Sequence, residues 1–507
     1  MHHDKKRGIL HSLKRNSFLI GLLSIVWLVA RTGRKPSRAV YPCQQAASIN
    51  GNMWVITYIL PVFSGLQVSN TGFLQKKQTL GVIAVSIVAL GAGAYWFYGR
   101  GGLVTVDSAS LENGLTLSAM TATNFPSSDI FTVARTTGAD GGVDTLIRLM
   151  GSQELKLYKS TRSGESKGPD GLIAADDVVL IKVNCQWDER GGTNTDLLKS
   201  LIQALVDHPD GFTGEIIVSD NGQGEDRGSL GRGGSFTYPL NNAEDTSQSI
   251  QKVIDGFAGE HQVSTYLWSD ITETRAYEFS EGDMDDGYVV EEAIVHESTG
   301  LMVSYPKFTT EYGTHVSFKN GVWGNEEYDG GKLKVINLSM LKSHQIYGAS
   351  ASVKNYMGVP SDLLTGEITD DYLNTHSTIG KGGMGTLMVN TRFPVLNIID
   401  SIWVNSVPRS GPWTPYRVAS QMNIILASTD PVALDYWAVK NILLKNWENR
   451  VGEVSVSMDP DYIVDNNPSY FGNWLRLSMD ELVKGGYQVN IEESYMNVFI
   501  ADHADNQ

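Results

Sequence analysis

The stretch from Asp177 to Asp220 constrains the fold of this chain more than any other. Asp177–Asn184 (DVVLIKVN) is an apolar, β-branched run that turns polar only at its end, which predicts a buried strand. Thr195–His208 follows with Leu197, Leu198, Leu201, Ile202 and Leu205 on one helical face, and Pro209 closes it. Glu215–Asp220 (EIIVSD) reads as the next strand. Strand, helix and strand in close succession form a βαβ unit. The expected fold class is therefore α/β, a mostly parallel sheet with flanking helices.

The pattern resumes later in the chain. Lys332–Leu341, Phe393–Val404 and Met422–Ala427 read as strands, and Ser350–Gly358 as a short helix. A further helix starts at Asp430-Pro431, with Asp430 as N-cap and Pro431 in the first turn. A helix near 478–485 and a strand near 495–500 end the pattern. Residues 281–330 are acidic and read as an irregular insertion.

Charge divides the chain. Of its 507 residues, the first hundred hold twelve Lys/Arg and one acidic residue, Asp4, for a net +11. The remaining 28 basic and 55 acidic residues give −27. A body this acidic repels polyphosphate backbones, so nucleic acid is not an expected partner. Leu80–Tyr98 contains no charge over nineteen residues, close to the roughly 20 that cross a bilayer. Lys76 and Lys77 precede it, and after Arg100 no basic residue occurs until Arg135. The expected organisation is a basic, apolar region at 1–79, a transmembrane helix at 80–98, a linker at 99–125 and a body at 126–507. The positive-inside bias places that body outside the cytoplasm. Ser17–Ala30 and Met53–Leu66 are shorter apolar runs, the first resembling a signal-type segment.

Three segments carry residues suited to chemistry. Lys342 and His344, two apart at a strand end, point to the same side. Lys354 and Asn355 follow near a Gly/Ser-rich turn into a helix, a place suited to anions. Lys182 and Asn184 repeat the alternation at another strand's C-terminal end, where open parallel sheets bind ligands. Asp220 ends the next strand and is a candidate metal ligand or orienting carboxylate. Arg227 and Arg232 lie in the glycine-rich loop after it. The expected site is one cationic crevice. Lys182, Lys342 and His344 are its candidate catalytic residues, with His344 as acid/base, and Asn184, Lys354 and Asn355 are its substrate-binding residues.

Other chemistries are constrained by what the sequence contains. Cys43 and Cys185 are the only cysteines, too few for an iron–sulfur cluster held by this chain alone. Cys185 is expected to be a buried free thiol. Glu281, Asp283, Asp285 and Glu292 have calcium-loop spacing, but Asp286 stands where the turn needs Gly, so a solvated acidic loop is expected. No Gly-x-Ser-x-Gly elbow occurs.

The blocks VLIKVNCQWDERGGTNTDLLKSLIQAL, VINLSMLKSHQIYGASASVKNYMG and LNIIDSIWV…GP…NIILASTDPVALDYWAV, within about residues 177–442, resemble domain-of-unknown-function family 362. This bacterial and archaeal family is often associated with iron–sulfur proteins. The resemblance implies an α/β fold and a shared polar site around Lys342, His344, Lys354, Asn355 and Gly358, without an established reaction. The leading functional expectation is an enzyme acting on a small anionic substrate, with a divalent metal as candidate cofactor. The alternatives are a non-catalytic extracytoplasmic binding or cell-surface protein, and an accessory to an iron–sulfur redox partner.

Overall fold

The computed structural model describes residues 103–105, 127–223, 234–365, 375–464, 467 and 469–503, with backbone alone for 103–105 and 292–295. The expected region 1–79, the span at 80–98, most of the linker, and Arg227 and Arg232 lie outside these residues. Among the described residues, no helix is long and apolar enough to cross a membrane.

The fold is built on one mixed sheet. Its strands, in chain order, begin with β1 (Leu103–Thr105) and β2 (Ser128–Ala134). Two-residue strands β3 (Tyr158–Lys159), β4 (Lys167–Gly168) and β5 (Ile173–Ala174) form a separate small sheet. Strands β6 (Val178–Lys182), β7 (Glu215–Asp220) and β8 (Val263–Leu267) follow. The main sheet is completed by β14 (Leu333–His344), β15 (Gly348–Ser350), β16 (Leu396–Asn405), β17 (Ser420–Ser428) and β18 (Met496–Asp502). Its order is β1-β18-β2-β17-β16-β14-β6-β7-β8, with β15 paired to β14.

From β16 through β14, β6 and β7 to β8 every pairing is parallel. Strand β17 runs antiparallel to both of its neighbours, β16 and β2. Among the described strands six of the main sheet's nine pairings are parallel, in keeping with the mostly parallel sheet expected, and β17 and the short β15 make it mixed. The physical reason is that no helix separates β16 from β17, so the chain returns beside itself without a crossover.

The parallel part forms as its sequence dictates. All five residues of β6 are buried, and they alternate between two apolar layers. Leu180 packs on one side, and Val179 and Ile181 pack on the other. Helix α1 (Thr195–Val206) supplies the crossover, its buried stripe including Leu197, Leu198, Leu201, Ile202 and Leu205. Asn194 caps it, accepting the N–H groups of Asp196 and Leu197 at 3.0 Å each. Helix α3 (Pro431–Ala438) starts as expected, with Asp430 Oδ1 accepting from Val432 N at 2.8 Å and Ala433 N at 3.1 Å. Helix α2 (Ser352–Asn355) follows β15 in the chain and continues as a 3-10 turn over Tyr356–Gly358.

The acidic insertion is regular. Strands β9 (Gly287–His296), β10 (Leu301–Thr309), β11 (His315–Ser317), β12 (Gly321–Gly324) and β13 (Glu327–Asp329) form an antiparallel meander. Within the calcium-like spacing, Asp283 accepts the N–H groups of Tyr277 and Asp285, and the buried Lys307 ammonium lies 3.6 Å from its carboxylate. A lysine thus supplies the positive charge there.

Candidate functional site

Parallel pairing puts the C-terminal ends of β14, β6 and β7 on one edge of the sheet. In register, Lys182 sits beside Asn337 on β14, so β14 runs on past the end of β6 before it stops at His344. The chain then turns back through β15, with Lys342 opposite Ser350 and His344 opposite Gly348. Gly348 is in the left-handed region (φ +74), and a Cβ there would fall 1.9 Å from Ser457 O. Helix α2 follows directly and lays Lys354, Asn355 and Gly358 across the strand ends.

The result is a narrow crevice, partly open to solvent. Lys182, Asn184, Asp220, Lys342, Lys354, Asn355 and Gly358 line it, together with Gln186, Met357 and Pro412 among others. Six of the seven residues singled out from the sequence therefore come together, from segments far apart in the chain. His344 is buried nearby but is not among the residues that line the crevice.

The lysines differ in their surroundings. Lys182 Nζ lies 2.7 Å from Asp220 Oδ1 and donates to Val183 O at 2.9 Å. Asp220 Oδ2 accepts the Cys185 N–H at 2.8 Å. Lys342 Nζ donates to Asn184 Oδ1 at 3.3 Å and to Gly191 O. Burial, and then the charge of Lys354, bring its ammonium down to about 7. Lys354 is only 6% exposed, and its ammonium has neither a hydrogen bond nor an ion pair among the described residues. Its one contact of note is with the Tyr347 ring, 5.8 Å from Nζ to centroid. Burial lowers it to about 8.

Buried amides support this arrangement. Asn184 Nδ2 donates to Asn355 Oδ1 at 3.5 Å, and Asn355 Nδ2 donates to Asn337 Oδ1 at 2.8 Å. Asn337 Nδ2 in turn donates to Asn397 Oδ1 at 3.0 Å and to Ser352 O at 2.9 Å. Helix α2 is held from a distant part of the chain. The buried Asp435 carboxylate accepts the N–H groups of Ser352 (2.7 Å) and Val353 (2.9 Å). Burial pushes Asp435 up to about 7. Asp400 is not among the residues that line the crevice, though its charge reaches Lys342; its carboxylate accepts from Asn194 N at 3.0 Å and Asn242 Nδ2 at 3.2 Å.

His344 has a defined tautomer. Its Nδ1 accepts the N–H groups of Ile346 and Tyr347, both at 3.1 Å. A neutral ring in this network carries its proton on Nε2. Burial, with Lys354 next in effect, holds it well below the usual histidine range, so it stays neutral. The ring has no free lone pair with which to take a proton. This departs from the acid/base role expected from its position in the sequence.

Asp220 does not fit a divalent metal, the cofactor role expected for it. One oxygen faces an ammonium and the other a backbone N–H, and a cation there would meet the charge of Lys182 at contact distance. Among the described residues, no group of three or more His, Cys, Asp or Glu converges to hold a metal ion. Cys185 is a buried free thiol, pushed further up by burial and then by Asp220.

Sequence reasoning missed Asp435 as the anchor of α2 and Asn337 as the link in the amide chain. The signal for Asn337 was a polar residue inside the apolar run VINLSML. Asp435 lies 83 residues from Ser352, and nothing local signals the contact.

The fold and this edge define an α/β domain with a cationic crevice beyond its parallel strands. Residues 333–440 match the family described as Domain of unknown function (DUF362). The matched stretch brings Lys342, His344, Lys354, Asn355 and Asp435, whereas Lys182, Asn184 and Asp220 come from the chain before it. No curated protein matches the chain.

Proposed function

We propose that the crevice binds a small anionic molecule and that Lys342 is its reactive group, as in an enzyme acting on a small anionic substrate. The carrying observation is Lys354. Taking an ammonium out of water costs several kcal/mol unless a partner compensates it. Lys182 and Lys307, also buried, each lie within 4 Å of a carboxylate, whereas Lys354 makes no ion pair among the described residues and feels only the more distant charge of Asp362. A bound anion supplies that charge. Asn355 and Asn184 line the crevice beside it. Lys342, close to neutral pH in its titration, gives and takes a proton there without a change of conditions. A purely binding role uses the same crevice and differs only in leaving Lys342 chemically idle.

Calorimetric titration with inorganic phosphate and with acetate tests this reading, using wild type and Lys354→Met. The unbranched methionine preserves the stem while removing the charge. Wild type is expected to bind at least one of these anions, and the variant to bind it at least about tenfold more weakly, or about 1.4 kcal/mol. Equal affinity in the two proteins, or no binding by wild type, overturns the proposal.

The N-terminal region supports a second part of the reading, that the body is tethered to a membrane and faces away from the cytoplasm. Its support is the charge-free Leu80–Tyr98 with Lys76 and Lys77 before it. Carbonate extraction of cell membranes followed by protease treatment of intact cells tests it. Release of the chain by carbonate, or protection of the body from protease, contradicts it.

A further inference from the structure

We propose that Lys342 is an imine-forming nucleophile toward the carbonyl of a small 2-oxo carboxylate, whose carboxylate group sits on Lys354. This inference rests on the anion-binding reading above and specifies its substrate class.

The geometry at Lys342 carries it. Its Nζ has two acceptors, Asn184 Oδ1 and Gly191 O, and neither is charged. Two N–H bonds are what a neutral amine has to give, so both are satisfied and the lone pair takes the remaining tetrahedral direction. An amine held in this way is oriented for attack. Lys342 is 2% exposed yet lines the crevice, so the nucleophile is shielded from bulk water. Lys182 and Lys354 also line the crevice and disfavour a further positive charge at Lys342.

The three lysines divide the work. Lys182 is committed to Asp220 at 2.7 Å and is a poor nucleophile. Lys354 makes no ion pair among the described residues and takes the carboxylate. Lys342 remains as the amine facing the carbonyl. The low titration of Lys342 agrees with this division, since a fraction of the amine is neutral near pH 7.

The step balances without a further reactant. The Lys342 nitrogen attacks the carbonyl carbon and a C–N bond forms. The C–O bonds of the former carbonyl are lost, and its oxygen leaves as water with the two amine hydrogens. The product is an imine, which on protonation draws electrons from the adjacent carbon.

The test is reductive trapping on the full chain. Wild type is incubated with pyruvate and sodium cyanoborohydride near neutral pH, and modified lysines are mapped by peptide mass spectrometry. Acetate is titrated calorimetrically in parallel. The expected result is a saturable adduct on Lys342, at least about tenfold more abundant than on the exposed Lys484. Lys354→Met is expected to lower trapping at Lys342 by a similar factor. Lys342→Met and Lys342→Arg are both expected to lose the adduct, and the pair of variants guards against a failure of either to fold. Acetate binding without modification of Lys342 overturns the imine and leaves the anion site standing. Adducts confined to surface lysines overturn it equally. Absence of acetate and phosphate binding overturns both readings together.

Discussion

Lys182 and Asp220 form a buried ion pair, 2.7 Å between Nζ and Oδ1, across the parallel ends of β6 and β7. Both side chains are almost wholly removed from water, at 1% and 2% exposure. Breaking one half leaves the other as an uncompensated buried charge, which typically costs about 3–5 kcal/mol. Asp220→Asn is therefore expected to lower the urea midpoint markedly, with an unchanged denaturant slope. An unchanged midpoint shows that the pair is not formed in solution.

Gly358 is packed directly against that pair. A Cβ at this position would fall 2.0 Å from Asp220 Oδ1 and 2.3 Å from Lys182 Nζ. No rotamer change of the new methyl relieves such a contact, so α2 or the ion pair must shift. Gly358→Ala is expected to destabilise by about 1–3 kcal/mol, the usual range for overpacking, and to weaken anion binding as well. Chemical denaturation and calorimetry on the same variant check both. A variant as stable and as tightly binding as wild type contradicts the packing described.

Asp435 makes stability fall with pH. An unfolded aspartate titrates near 3.9, roughly, whereas burial raises Asp435 to about 7. Between these values the folded chain holds a proton that the unfolded chain has lost. This contribution to stability is complete below the lower value and is lost as pH rises through the upper one. Asp400, raised to about 6, acts in the same direction. Asp435→Asn is expected to flatten the profile by up to about 1.4 kcal/mol per pH unit within that window. Urea denaturation of both proteins across the window measures it. Parallel profiles exclude the assignment.

How much of this was legible in the sequence depends on the range of the interaction. The βαβ unit was readable because Val178–Ile181 and the leucine stripe of α1 carry period and composition locally. The gathering of Lys182, Asn184, Lys342 and Lys354 followed from one inference, that their strands run parallel. The antiparallel turn at β17 was not read, because apolar alternation does not encode strand direction. The base role of His344 depended on a lone pair that two backbone N–H groups occupy, and sequence spacing does not report tautomers. Asp435 was unreadable for the same reason as any long-range cap. Its partners, Ser352 and Val353, open a short helix that the sequence does announce, but their carboxylate acceptor comes from 83 residues further on.

Anion affinity should fall as pH rises. Lys342 titrates near 7 and Lys354 near 8, each brought down mainly by burial. Above these values the crevice loses positive charge, and a bound anion loses its counterions. Calorimetric titrations are expected to show weakening through about 7 and again through about 8. Since the anion stabilises the charged lysines, its binding near pH 8 is also expected to take up protons, visible as an enthalpy that depends on buffer ionisation. A flat affinity profile contradicts lysine-based recognition.

The central claim is that Lys354 is a buried cation awaiting an anion. The most direct measurement is a crystal structure of the protein grown with bromide, with anomalous scattering recorded at the bromine edge. The account predicts a bromide peak within contact distance of Lys354 Nζ, facing Lys342 across the crevice. A carboxylate of the chain itself resting on Lys354 Nζ, with no bromide beside it, would contradict the account.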